Sequence, residues 1–408
     1  MANIKFSSFT TETNPANVDF LVGYEGTTMK KIDPANIGGG ATSLNGLSDV
    51  LIDGTSAYFI NIPAGLSGNP SNQLVIGNSA GNSLTTGSNS IYIGFEAGRD
   101  ATTQSFNTAV GLYSLRSGGN TSSSENTAVG VQAGQNSTGG SNAFFGNASG
   151  SASGNGSRNS FLGYKAGQFN SQSDSVAVGY FALNGNSCSQ AVAIGRQAAT
   201  VASSTGHVSI GYQAGFTQSS GTSNTNLGFK AGYTNSTGYS NTNVGYEAGF
   251  SNTGAENTAL GHQALRANTG TANVAIGKEA AKNSDGAFNI AIGAGSLLNN
   301  NANSNIAIGY NAGDALTSGF ANNNIIIGYL ADASASGASN EITLGNASIT
   351  ALRIPGLQSS ASDGDVLTFS SGTGKITLAA AGGGGASSLN GLSDCLIDTA
   401  SELSLIHI

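Results

Sequence analysis

The chain has 408 residues, of which 38% are apolar, only 9% are charged and 61 are Gly, with a formal net charge of −8. This combination does not fit intrinsic disorder, which needs low hydrophobicity with high net charge. With 14 Lys and Arg against 22 Asp and Glu there is no basic stripe to neutralise phosphates, which argues against nucleic acid as a partner.

The first twenty residues, "MANIKFSSFTTETNPANVDF", hold no apolar core of a signal peptide, and no run of eighteen apolar residues occurs anywhere. The expectation is a soluble protein made in a cytosol. Residues 1–42 end in "FLVGYEGTTMKKIDPANIGGG", with Lys30 and Lys31 clustered before a glycine run. They read as a small N-terminal module and linker. Residues 43–72, opening with "SLNGLSDVLID", read as a lead-in or cap.

Residues 73–350 repeat one phrase, as in "NTNLGFKAG", "NTNVGYEAG" and "NTALGHQAL". A glycine closes an apolar strand at 77, 94, 111, 130, 146, 163, 179, 195, 211, 228, 245, 261, 277, 293, 309, 328 and 345. A unit of about 16–17 residues is too short for a helix pair and matches one coil of a solenoid. The expected fold is therefore all-β, a parallel β-solenoid or β-roll of about 17 coils. Stacking at ~4.8 Å would make a rod roughly 80 Å long.

Within each unit the residue before the glycine is Ile, Val, Leu or Phe, and period-2 alternation assigns it to a buried face with the residue two earlier. Ala is commonest between them, as at Ala109, Ala177 and Ala259, which suggests a second face packed against a neighbouring subunit. Three residues after the glycine, every unit has Ala or Ser. The structural repeat is thus carried by pairs such as Gly94 and Ala97, Gly130 and Ala133, Gly163 and Ala166, Gly211 and Ala214, Gly228 and Ala231, Gly245 and Ala248, Gly277 and Ala280, and Gly309 and Ala312. The glycine answers a bend at positive φ or a close backbone approach. Asn opens most strands, where it tolerates the left-handed region and its amide can bond to its equivalents one coil away. So narrow a coil buries few large apolar side chains, and three chains packing their Ala-rich faces around an axis would supply the rest.

Residues 351–386 form a C-terminal β segment and Gly linker, and "SLNGLSDCLID" at 388–398 starts a second cassette spanning 387–402. The last six residues, 403–408, "LSLIHI", read as a translated sequencing adaptor, which would make His407 an artefact.

No catalytic constellation is expected. "GNSAG" at 77–81 matches a nucleophile elbow, but Ser79 takes the slot of Glu96, Gln132 and Lys165. "GTGKIT" at 372–377 has Ile376 where a phosphate loop needs Ser or Thr. His207 and His262 read as stacked surface positions, and Cys188 and Cys395 as buried or idle thiols. Tyr or Phe after the glycine, as at Phe95, Tyr164, Tyr180, Tyr212, Phe229 and Tyr246, is read as stacking between rungs, with sugar binding the alternative. No cofactor or metal is implied.

The "NxAIG" strands resemble the left-handed parallel β-roll heads of trimeric autotransporter adhesins. The longer "NTAVGYxAG" unit, the opening "MANIKFSSFT" with "DFLVGYEG" and "KIDPANI", and the "SLNGLSDVLID" lead-in are similar to tail-fibre-like proteins of marine bacteriophages. The resemblance covers most of residues 1–402. It implies a homotrimeric virion fibre, not an enzyme, attached through its N-terminus to other tail proteins and reaching toward a host-surface glycan or protein. A bacterial trimeric adhesin is the alternative. A polysaccharide-degrading enzyme on a β-helical scaffold would need paired carboxylates, and Glu96, Glu247 and Glu279 are scattered in sequence.

Overall fold

The computed structural model describes residues 71–353 except 117–122 and 186–187, and the backbone of six further strands. The chain divides into two compact units, residues 1–346 and 347–408.

A three-residue strand precedes every closing glycine, from Leu74–Ile76 to Ile342–Leu344, seventeen in all. Each pairs in parallel with the next, and the register sets like upon like. Thr225, Asn226 and Leu227 lie beside Thr242, Asn243 and Val244, which lie beside Thr258, Ala259 and Leu260. The fold is a parallel β-solenoid in which sixteen turns link seventeen strands. Two-residue strands mark the opposite wall in places, as at Ser251–Asn252, Ala267–Asn268 and Asn283–Ser284, also parallel. Each coil is therefore a flattened loop with two walls.

At the N-terminal end, Val50–Asp53 pairs antiparallel with Ser56–Phe59, and the latter adds in parallel to Leu74–Ile76. This hairpin extends the ladder into the lead-in. Leu21–Glu25 and Thr28–Ile32 form a separate antiparallel hairpin. The C-terminal unit contains the hairpin Asp365–Ser370 with Lys375–Ala380. Ser348, last of the small-residue series, falls beyond the first unit and is exposed. The second cassette at 387–402, the segment 403–408, Cys395 and His407 lie outside the described residues.

The closing glycines from Gly77 to Gly328 have φ between 127° and 141°, a range L side chains rarely adopt. A Cβ on Gly245 would stand 2.5 Å from the carbonyl oxygen of Gly261, and one on Gly228 2.4 Å from that of Gly245. Both expected causes, positive φ and close approach, act at once. Gly94, Gly130, Gly163, Gly211, Gly277 and Gly309 repeat this geometry, with φ of 130°, 135°, 136°, 134°, 134° and 141°. Their partners Ala97, Ala133, Ala166, Ala214, Ala231, Ala248, Ala280 and Ala312 are fully buried, as the invariably small slot implied.

The facing of the strands is the reverse of that expected. The central residue of the strand points inward, and its neighbours on either side point out. Ala109, Ala177, Ala193, Ala259, Ala275, Ala291 and Ala307 are fully buried, whereas Leu162 is 53% exposed, Leu227 44% and Leu260 46%. The walls of so short a coil stand too close for a large residue on both. The Ala row is thus the interior of the coil and not a subunit interface.

Asn holds the edge of that interior. Asn241 donates its backbone N–H to Asn224 Oδ1 at 2.8 Å and its Nδ2 to the Gly254 carbonyl at 2.8 Å, and Asn257 N–H donates in turn to Asn241 Oδ1 at 2.8 Å. The bonds run mainly from side chain to backbone rather than from amide to amide, and they recur from Asn107 through Asn159 and from Asn224 through Asn324. The left-handed residue is the one before the Asn, such as Ser240 at φ 54° or Glu256 at 61°. Asn is selected for its hydrogen bonds and not for its backbone tolerance.

The Asn series is interrupted by Ser175, Ala191 and His207. His207 is fully buried, a correction to the surface position expected for it. Burial pushes its imidazole down to about 4 from an ordinary 6.5, and neither ring nitrogen has a protein hydrogen-bond partner. The unfolded chain therefore takes up this proton at a higher pH than the folded one. The stability is complete above pH 6.5 and declines as the pH falls toward 4, by about 3 kcal/mol. His207→Asn is expected to remove that part of the acid sensitivity. Urea midpoints of parent and variant at pH 7 and 4.5 check this, and equal losses in both would contradict it.

In seven rungs the interior is filled by a trade between two positions six residues apart. In four rungs with a small strand centre the residue after the turn is leucine: Ala109 with Leu115, Ala177 with Leu183, Ala259 with Leu265 and Ala291 with Leu297, all buried. Ala193 and Ala275 instead pair with Ala199 and Ala281. At Gly134 and Gly313, paired with Ala128 and Ala307, side chains of adjacent rungs reach in, Leu115 and Phe144 at the first and Leu297 at the second. Where the centre is aromatic, the partner is glycine: Tyr92 with Gly98, Phe144 with Gly150 and Phe161 with Gly167. Leu115, Leu183, Leu265 and Leu297 hold φ between 44° and 49°. The left-handed backbone costs ~1–2 kcal/mol for an L residue, which the buried leucine offsets at ~1.5–3 kcal/mol.

Candidate functional site

Among the described residues, the outward face of the ladder is a continuous uncharged surface along the solenoid. It consists of the residues three and one before each glycine, with the residue after it alongside. In all seventeen rungs the first two positions are apolar, Thr or Ser, with no charge. The row nearest the glycine includes Val129, Phe145, Leu162, Ile194, Leu227, Leu260, Ile327 and Leu344, all exposed. Strand spacing makes this stripe ~80 Å long, and a three-residue strand makes it ~10 Å wide. The stripe thus covers ~800 Å² of the shaft, most of it apolar and interrupted by Thr108, Thr127, Ser160, Thr225, Thr242 and Thr258. Contiguous apolar surface of this kind marks an interaction face.

Beside it run the aromatic residues that follow the glycines. Tyr212, Phe229, Tyr246 and His262 stack in sequence at centroid distances of 5.2, 5.0 and 5.0 Å, with interplanar angles of 13°, 4° and 6°. A second file, Phe216, Tyr233 and Phe250, stacks at 5.2 and 4.9 Å. Arg196 covers Tyr212 at 5.7 Å and Arg266 covers Phe250 at 5.0 Å. Stacking between rungs thus accounts for the recurrence of these residues. Rings packed face to face present edges to solvent, whereas a sugar needs a free face.

Two residues after each glycine is a row of mostly polar side chains in left-handed conformation, including Ser79 at φ 58°, Glu96 at 52°, Gln132 at 58° and Lys165 at 54°. Ser79 therefore shares the repeat geometry of its slot and bonds to Asn78 Oδ1 at 3.0 Å. Glu247 and Glu279 fall in this same row, two rungs apart. Glu247 accepts from Gln263 at 2.9 Å and Arg266 at 3.0 Å, and Glu279 from Lys282 at 3.0 Å. Burial opposes ionisation of Glu247, but the hydrogen bonds from Arg266 and Gln263 and the charges of Arg266 and Lys230 outweigh it and hold its carboxyl below the ordinary value. The hydrogen bond from Lys282 does the same for Glu279. A general acid requires the opposite shift. Glu96 is tied to Arg99 at 2.9 Å and to Arg116.

Cys188 is buried and its thiol donates to the Ala202 carbonyl at 2.9 Å. Among the described residues no three His, Cys, Asp or Glu side chains gather as a metal site, and no helix is long and apolar enough to cross a membrane. The sequence contained the signal for the outward stripe in the residues flanking Ala, but period-2 alternation alone does not say which parity faces in.

These features define a repeat protein of the parallel β-solenoid class whose distinctive surface is an uncharged apolar stripe along the shaft. No protein-family model matches the chain, and comparisons with curated proteins and with solved structures return no match.

Proposed function

We propose that the protein is a structural fibre element, a homotrimeric shaft whose three solenoids pack through their outward apolar stripes. The observation that carries this reading is the stripe itself, uncharged in every rung and ~800 Å² in extent. Its spacing repeats at every rung, so a partner that covers it throughout must carry the same ~4.8 Å repeat. Another copy of this chain meets that requirement. Trimerisation places the strand flanks at the axis and leaves the Ala row inside each coil.

The resemblance of the opening segment and lead-in to phage tail-fibre-like proteins supports a place in a virion tail. There the N-terminus joins other tail components and the shaft projects toward a host surface. The work of such a protein is mechanical display, without catalysis or cofactor.

Light scattering of the full chain on a sizing column is expected to give three times the chain mass. Leu162→Lys, Leu227→Lys and Leu260→Lys together are expected to yield single chains that keep their β-sheet circular dichroism. A monomeric parent protein would overturn the proposal. Immunogold labelling of virions purified from cells that express the protein tests the tail assignment separately, and label absent from the tails would refute it.

A further inference from the structure

The buried apolar interior is not continuous along the shaft. One cluster runs from Val75 to Ala202, another from Ala248 to Ala331. Between them the strand centres are Ser209, Asn226 and Asn243, and the opposite wall brings in Gln218 and Asn235, all five fully buried. Three rungs of the solenoid thus have a polar centre.

These groups satisfy each other only in part. Asn243 Nδ2 donates to Asn226 Oδ1 at 2.9 Å, and Gly238 N–H donates to Asn235 Oδ1 at 2.8 Å. Ser209 Oγ, both amide atoms of Gln218, Asn226 Nδ2, Asn235 Nδ2 and Asn243 Oδ1 have no protein partner. Three of them converge beside Gly215, where a Cβ would stand 2.3 Å from Ser209 Oγ and 3.0 Å from both Asn226 Nδ2 and Gln218 Oε1. Buried polar atoms in such numbers ordinarily mark bound solvent or ions.

Size points the same way. Each of these rungs carries glycine at the position that trades volume with the strand centre, namely Gly215, Gly232 and Gly249. In the equivalent rungs with Gly150 and Gly167 the space is filled by Phe144 and Phe161, and at Gly134 and Gly313, whose strand centres are Ala128 and Ala307, it is filled by Leu115 and Phe144 and by Leu297 of adjacent rungs. An Asn side chain has three fewer heavy atoms than Phe, a volume difference on the order of one water, whose share of liquid volume is about 30 Å³.

We infer that the interior between Ser209 and Asn243 is a built binding site for a short file of water molecules, held by the Ser209 hydroxyl and the amides of Gln218, Asn226, Asn235 and Asn243. The free groups include amide donors at Gln218, Asn226 and Asn235, carbonyl acceptors at Gln218 and Asn243, and a hydroxyl that can do either. An ion of one sign would be served by only part of that set. Water, which donates and accepts, uses all of it.

A crystal structure of the full-length protein at high resolution, from crystals soaked in bromide, tests the inference. The expected result is ordered solvent within hydrogen-bond distance of Gln218, Asn226 and Asn243, without anomalous signal. An anomalous peak there would replace water by an anion, and amides paired directly with one another in a dry interior would overturn the site. Asn226→Phe combined with Asn243→Phe reproduces the Phe144 and Phe161 pair in adjacent rungs. This variant is expected to melt at or above the parent temperature and to lose the solvent around those two positions. A lower melting temperature would show that the space does not exist.

Discussion

Gly245→Ala is expected to destabilise the protein by about 4 kcal/mol, close to the upper end for a single substitution. The new methyl group would meet the Gly261 carbonyl oxygen at 2.5 Å, at a φ of 133°. Strain from such a backbone conformation is worth ~1–3 kcal/mol. The clash adds to it because the obstacle is another rung's backbone, held by its own ladder bonds. Gly319→Ala is the control, since its nearest neighbour, the Asn301 carbonyl oxygen, is 3.9 Å from the added Cβ. Urea unfolding of both variants, with hydrogen exchange across the rungs before and after Gly245, provides the measurement. Equal stability of the two would contradict the account of the closing glycine.

The second large effect concerns the trade across the interior. Phe161→Ala is expected to cost about 3–5 kcal/mol by leaving a cavity. Gly167→Leu alone sets its Cβ 2.3 Å from two atoms of the Phe161 ring, and overpacking of this kind costs ~1–3 kcal/mol or more. Together the two substitutions recreate the pairing of Ala177 with Leu183 one rung on. The double variant is expected to be more stable than either single one, with a coupling of about 3 kcal/mol in the cycle. Additive losses would mean that each rung is packed independently of the trade.

The repeat, its period and its parallel register were legible because glycine recurs at one place in all seventeen units and a small residue follows three later. The facing of the strands is not legible from residue size, because Leu162, Leu227 and Leu260 face outward while the smaller Ala177 and Ala259 are buried. A signal for the true parity was nevertheless present. Asn241 and the strand centre Asn243 are two apart and so share one side, and an Asn that bonds rung to rung at 2.8 Å is buried with the centre. The trade between strand centre and turn was hidden by its spacing of six, which belongs to neither strand nor helix. It depends on where the chain returns after a bend. His207 misled for a related reason, since it occupies an Asn slot whose burial depends on the facing of the strands.

In-register pairing gives the shaft one more property. A rung pairs only with the rung before it and the rung after it, in the same parallel register along the ladder, so nothing in that register specifies how many rungs there are. Gaining or losing one unit of sixteen or seventeen residues changes the length by ~4.8 Å and leaves the register of the remaining ladder as it was. The molecule is a ruler graduated in coils, and its reach is set by duplication of a short stretch of gene.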